Sequence, residues 1–245
     1  MVARLIALGM DALDPPRLTA FWAAALRWTV RDGQGDGLSV VVEPTDGTPF
    51  PIVVRRVSAE KVGQNRNHLD LTTSSVEDQS GTVEALLALG GRHADVGQGL
   101  EETHVVLADP EGNELCIIEP TNNFLSSCGR MGAINCDGTR AVGVFWSEVF
   151  GWPLVWDQDE ETAIRVPGPT GPMITWSGPP LMPKHGKNRL CLYVAPEDGQ
   201  TREELVEWLA ARGASRLDAG PPGAESVWVT DPDGNEFCVV DLPVG

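Results

Sequence analysis

The sequence predicts an α+β fold built twice in tandem, and three observations carry that reading. Blocks of the first half return in the second in the same order. Phe21-Trp22 with Trp28 returns as Phe145-Trp146 with Trp152, 124 residues on, and Asn65-Arg66 returns as Asn188-Arg189, 123 residues on. Asp109-Pro110-Glu111-Gly112-Asn113-Glu114 returns as Asp231-Pro232-Asp233-Gly234-Asn235-Glu236 at an offset of 122. Self-similarity in register at three separate places marks a duplication. Second, each copy reads as strand, helix, strands, and then the same again. Third, 245 residues of which 42% are hydrophobic suit two compact domains of roughly 100–150 residues.

In the first copy, Arg4 to Leu8 reads as a strand. Asp14-Pro15-Pro16 then opens a helix, because Asp accepts from the free N–H groups of a first turn and Pro is tolerated there. Leu18, Phe21, Trp22 and Leu26 follow at spacings of three and four and form an apolar stripe. Residues 37–42 and 51–54 are short β-rich runs bounded by Gly, Pro and Asp. The second unit opens with a strand over 68–72 and continues with a helix over 83–89 that Gly90-Gly91 stops. It closes with a strand over 103–107, a turn at Asp109-Pro110-Glu111-Gly112 and a strand over 115–118. The second copy repeats this order, so the chain holds four such units. The polar, turn-rich stretch after Ile118 marks the seam. The expected organisation is a first domain over 1–120, a linker over 121–127 and a second domain over 128–245.

The formal net charge of −17 opposes binding to phosphate backbones and anionic lipid surfaces, and no Lys/Arg cluster stands out in the sequence. Nucleic acid and membrane are therefore excluded as expected partners. Neither an apolar signal core nor a run of about 20 apolar residues is present, so a cytoplasmic protein is expected. Five cysteines without close pairing point to reduced thiols.

Taken together, a Phe-Trp helix, the Asn-Arg-Asn-His-Leu-Asp-Leu strand at 65–71, a Leu-Gly-Gly helix end and the Asp-Pro-Glu-Gly-Asn-Glu hairpin resemble the glyoxalase/bleomycin-resistance, or vicinal oxygen chelate (VOC), superfamily. The resemblance spans essentially the whole chain, twice. It implies tandem VOC domains, each made of two βαβββ units forming a curved mixed sheet around a cup. Catalytic members of that superfamily take metal ligands from the first and last strands of each unit. Carried onto this sequence, those positions are Ala7, Val53-Val54, His68 and Cys116 in the first copy, and Met131, Ile174-Thr175, Cys191 and Cys238 in the second. One cup then offers His68 and Cys116 and the other Cys191 and Cys238, short of the roughly three protein ligands a catalytic divalent ion needs. No metal and no other cofactor is expected.

The candidate ligand-binding residues are His68, Asp70, Cys116, Trp156, Trp176, Cys191, Tyr193, Trp228 and Cys238. His68 is the titratable group best placed to touch a ligand, and Asp70 shares its strand face. Cys116 and Cys238 are repeat-equivalent and also read as small buried hydrophobes. Trp156, Trp176, Tyr193 and Trp228 lie on second-copy strands with no matched aromatics in the first, a pattern that ligand contact or ordinary packing would each produce. They make the second copy the expected ligand site. Trp22, Trp28, Trp146 and Trp152 read as core. The expected function is metal-independent binding of an aromatic or amphipathic small molecule, with drug sequestration implied by analogy. The alternative is a VOC enzyme: a metal-dependent lyase, isomerase or dioxygenase, or a metal-free acid–base catalyst using His68. A monomer whose copies pair within the chain is expected, with a homodimer as the other arrangement.

Overall fold

A computed structural model describes residues 2–32, 39–99, 102–217 and 226–241. The first unit holds β1 (Ala3–Ala12), α1 (Pro15–Leu26), β2 (Thr29–Asp32), β3 (Ser39–Glu43) and β4 (Ile52–Arg56). The second holds β5 (Asn67–Leu71), α2 (Val76–Ala88), β6 (Arg92–His93), β7 (Val105–Ala108) and β8 (Glu114–Ile117). The third comprises β9 (Met131–Cys136), α3 (Arg140–Phe150), β10 (Leu154–Gln158), β11 (Glu161–Arg165) and β12 (Met173–Trp176). The fourth comprises β13 (Leu190–Pro196), α4 (Arg202–Ala210), β14 (Ser215–Arg216), β15 (Ser226–Thr230) and β16 (Glu236–Val240). The expected order of elements and the fourfold unit are observed. Of the run expected over 37–42, Gly37 and Leu38 lie outside the described residues.

Local chemistry sets the element ends. Asp14 caps α1 by accepting from the Arg17 amide, with Pro15 and Pro16 in the first turn, as its sequence requires. The second helix begins seven residues before the expected Val83, at Val76. Its first turns, Glu77-Asp78-Gln79-Ser80-Gly81, lack an apolar stripe, but Ser75 accepts from the Asp78 amide and nucleates the helix there. The fourth helix starts on a capping box in which Thr201 and Glu204 exchange hydrogen bonds.

The four units combine into two mixed sheets of eight strands. One runs β14-β15-β16-β13-β1-β4-β3-β2 and the other β10-β11-β12-β9-β5-β8-β7-β6. Each sheet therefore joins units from different copies: the first unit with the fourth, and the second with the third. At one seam β1 lies antiparallel to β13, with Gly9 opposite Cys191; at the other β5 lies antiparallel to β9, with His68 opposite Asn135 and Asp70 opposite Ala133. This division of units between sheets was not expressed in the sequence, because both partitions bury the same alternating strands.

Strand alternation assigns the two faces. Leu8, Met10, Ile52, Val54, Leu190, Leu192, Phe237 and Val239 of one sheet join Leu69, Leu71, Leu115, Ile117, Ile134 and Ile174 of the other in one continuous core with the helices. The residues between them, among them Gly9, Asp11, Arg55, Cys191, Tyr193 and Cys238 in one sheet and His68, Asp70, Cys116 and Asn135 in the other, face the two cups. Glycine permits close helix docking at Gly143 of α3, where a Cβ would stand 1.9 Å from Thr162 Oγ1.

Candidate functional site

The repeated motifs that reveal the duplication prove to be structural. The Trp22 indole N–H donates to Asp109 Oδ2 at 3.0 Å, Asn113 Nδ2 donates to the same oxygen at 2.7 Å, and Asn65 Nδ2 donates to Asn113 Oδ1 at 3.1 Å. The second copy repeats the chain of bonds from Trp146 to Asp231 at 3.3 Å, from Asn235 to Asp231 at 3.3 Å and from Asn188 to Asn235 at 3.2 Å. The arginines of the Asn-Arg pairs cross between copies. Arg66 Nε lies 2.6 Å from Asp137 while its Nη1 donates to the Asp233 carbonyl, and Arg189 lies 2.7 Å from Glu111 and donates to the Ala59 carbonyl. All four charged side chains are buried, so these pairs fasten one copy to the other.

The two cups differ. In the sheet of the first and fourth units the cup is filled from within. The Tyr193 ring lies against Gly9, where a Cβ would stand 2.2 Å from the ring, and meets Trp228 edge-on at 6.1 Å between centroids. Lys187 and Arg55 lie over the Trp228 ring at 4.4 and 5.1 Å, and both reach Asp11 at 2.8 Å. Burial pushes the Cys191 thiol up to about 12, the Cys238 thiol to about 11 and the Tyr193 hydroxyl well above its ordinary value. Both cysteines stay as thiols and pack as small apolar groups.

In the sheet of the second and third units a cavity of about 620 Å³ remains open. Asp70, Asn135, Glu161 and Thr175 supply polar groups to its wall, and Phe124 and Trp156 stand together with centroids 5.7 Å apart in an edge-to-face pair. Val106, Cys116, Ile118, Leu125, Ala133, Ala163 and Met173 form a separate apolar cluster on this sheet. Thr175 Oγ1, in the wall, is buried without a hydrogen-bond partner, and Asp70 Oδ1 has only His68 Nε2, at 3.3 Å. Unpartnered buried acceptors are costly and are expected where a ligand completes them.

The nitrogen of His68, an oxygen of Asp70 and the sulfur of Cys116 lie within 4.8 Å of one another. His68 Nε2 approaches Asp70 Oδ1 to 3.3 Å, and Asp70 pairs with Cys116 across the parallel β5–β8 ladder. Burial disfavours the imidazolium, but Asp70 and Cys116 outweigh it, and the His68 pKa stands well above its ordinary value. Burial likewise raises the Cys116 thiol, against the opposing pull of His68. Asp70 and Cys116 thus favour the protonated imidazole, the form that donates a proton or a hydrogen bond in the acid–base chemistry expected of His68. The ligand set expected in this cup, His68 and Cys116, is enlarged by Asp70. A nitrogen, a carboxylate oxygen and a sulfur suit a zinc-like ion, although two bound protons would have to leave first. The facing unit offers Ala133, Asn135, Thr175 and Glu161, and Glu161 lies outside the group formed by His68, Asp70 and Cys116.

The expected site residues are thus divided. Asp70 and Trp156 line the open cavity, with His68 and Cys116 grouped around Asp70, whereas Cys191, Tyr193, Trp228 and Cys238 fill the closed cup. Trp176 borders the open cavity, but its ring is fully buried against Gly138 and Gly143. The second copy's aromatics therefore do not share one cup, because its two units belong to different sheets. Sequence reasoning missed Phe124, Asn135 and Glu161. Phe124 sits in the segment read as linker, Asn135 faces His68 only through the inter-copy ladder, and Glu161 ends the acidic run Asp157-Gln158-Asp159-Glu160-Glu161, whose charge alone points to solvent.

Four βαβββ units paired into two cups define the class, that of vicinal oxygen chelate proteins. A family model described as Glyoxalase-like domain matches residues 7–118 and 131–240, and the chain belongs to that family. No curated protein matches the chain. Among solved structures, glyoxalase I from Zea mays shares 14% identity, with 98% of this chain and 92% of that one covered and a TM-score of 0.66. A Bacillus subtilis protein whose name proposes a dioxygenase shares 14% identity, with 98% and 86% covered and a TM-score of 0.61. At these identities the likeness is one of fold. No helix among the described residues is long and apolar enough to cross a membrane.

Proposed function

We propose that the chain is a small-molecule-binding protein whose ligand occupies the cup between the second and third units. The observation that carries this reading is the open cavity of about 620 Å³, a size ordinary for ligand sites, with an aromatic pair in its wall and an unpartnered Thr175 hydroxyl. An aromatic or amphipathic molecule fits this chemistry: its flat face meets Phe124 and Trp156, and a hydrogen-bond donor on it meets Asp70 and Thr175. Sequestration of a drug-like compound is the role such a cup serves, and the reading requires no metal. Titration with amphipathic aromatic amines, followed by tryptophan quenching and calorimetry on metal-free protein, tests it. Trp156→Ala and Asp70→Asn should each weaken binding by about tenfold, or 1.4 kcal/mol. Affinity unchanged in both variants, or no binding by any compound, overturns the reading.

One observation favours the enzyme alternative, namely the proximity of His68, Asp70 and Cys116. These residues would hold the metal, and a bound ion would supply polarisation of a carbonyl or activation of water. Stoichiometric metal in the purified protein, lost on His68→Ala, would favour that reading. Its absence after reloading with Zn, Ni, Mn and Fe(II) would favour the binder.

A further inference from the structure

The chain carries 18 Lys and Arg against 35 Asp and Glu, yet one cavity of about 620 Å³ is lined by Arg55, Arg56, Lys61, Arg66, Lys187 and Arg189. The carboxylates in its wall are Asp11 and Glu60. It lies over the filled cup, between the β4–β5 connection of the first copy and the residues that precede β13 in the second. The open cup is the opposite case, since its wall contains Asp70 and Glu161 and no Lys or Arg.

Three of these cations are spoken for. Lys61, Arg66 and Arg189 pair with Glu114, Asp137 and Glu111, which hold them as rigid wall. The other three are not balanced. Arg55 and Lys187 share a single carboxylate, each 2.8 Å from a different oxygen of Asp11, and both side chains are still 36% exposed. Arg56 is exposed, spends one nitrogen on the Leu13 carbonyl at 2.9 Å, and has no carboxylate partner among the described residues. Even with Glu60 counted, this part of the wall keeps an excess positive charge in an acidic protein, as well as uncommitted guanidinium donors. Guanidinium groups match the oxygens of carboxylates and phosphates in bidentate geometry, and a partly enclosed site strengthens that attraction relative to water.

We propose that this cavity binds a compact multivalent anion, a phosphate group or paired carboxylates on a small molecule, through Arg55, Arg56 and Lys187. Asp11 is the built-in anion of the site, and the ligand takes the place beside it. Because Arg55 and Lys187 also lie over Trp228, occupancy alters the surroundings of that indole. The site is separate from the open cup and does not depend on what that cup holds.

Calorimetric titration of the intact chain with inorganic phosphate, and in parallel with succinate, tests the inference at low ionic strength. Saturable one-to-one binding of at least one probe is expected, weakening as salt is added. Phosphate alone would identify a phosphorylated ligand and succinate alone a dicarboxylate. Arg56→Gln, at an exposed position whose loss leaves the fold intact, and Lys187→Gln are the variants. About a tenfold loss of affinity in at least one of them supports the site. Failure of both probes to saturate, or binding that neither variant weakens, overturns it.

Discussion

The indole N–H of Trp22 donates to the buried carboxylate of Asp109 at 3.0 Å, and this bond links the helix of the first unit, in one sheet, to the closing hairpin of the second unit, in the other. Asp109 also accepts from the amides of Glu111 and Asn113 and from the Asn113 side chain, so its burial is met by four donors. Trp22→Phe keeps the apolar ring and removes one donor. A loss of about 1–3 kcal/mol is expected, the range for removing one partner from a buried polar group. Denaturant unfolding measures it, and Trp146→Phe, whose bond to Asp231 is longer at 3.3 Å, should show the same sense with a smaller effect.

The Arg66–Asp137 pair is almost entirely buried, with 4% and 6% of the two side chains exposed. Asp137→Ala leaves a buried guanidinium without its counter-charge, at a cost of about 3–5 kcal/mol. Because the pair joins the copies, the loss should appear in global unfolding of the whole chain. A change below about 1 kcal/mol would show that the copies do not depend on this contact.

Gly9 is required by space, not by backbone angle. Gly9→Ala drives a methyl into the Tyr193 ring and should cost about 1–3 kcal/mol, the usual price of overpacking. Combined with Tyr193→Leu, much of that cost should disappear, so the two substitutions should be non-additive. Additive losses would mean that the ring does not fill the cup.

Asp78 accepts from the Ser74 amide and hydroxyl and pairs with Arg27. Burial opposes its ionisation, but these bonds prevail and bring its pKa down to about 2 from 3.8. A depressed carboxylate stabilises the fold above its unfolded pKa and loses that contribution as pH falls through the folded value. Asp78→Asn should therefore cost about 1 kcal/mol at pH 7, because the exposed Arg27 leaves part of the interaction screened by solvent. The difference from the unmodified protein should shrink as pH falls from about 4 to 2. A gap constant across that range would remove Asp78 from the acid response.

The duplication, the fourfold unit, the family and the nature of the thiols were legible in the sequence, because each rests on local periodicity, capping chemistry or motifs in register. His68 and Asp70 were legible as a shared face for the same reason, since alternate strand residues point the same way. The division of the units between sheets was not, for pairing across copies leaves no mark on either strand's own pattern. Everything that followed from that division was equally hidden: Asn135 opposite His68, Phe124 beside Trp156, Tyr193 closing over Gly9, and six cations from both copies around one cavity. The sequence by itself determined the alternation within each strand, and with it which of a strand's residues share a face. Only the tertiary structure decided which faces meet, because that choice is made by long-range packing among four nearly equivalent units.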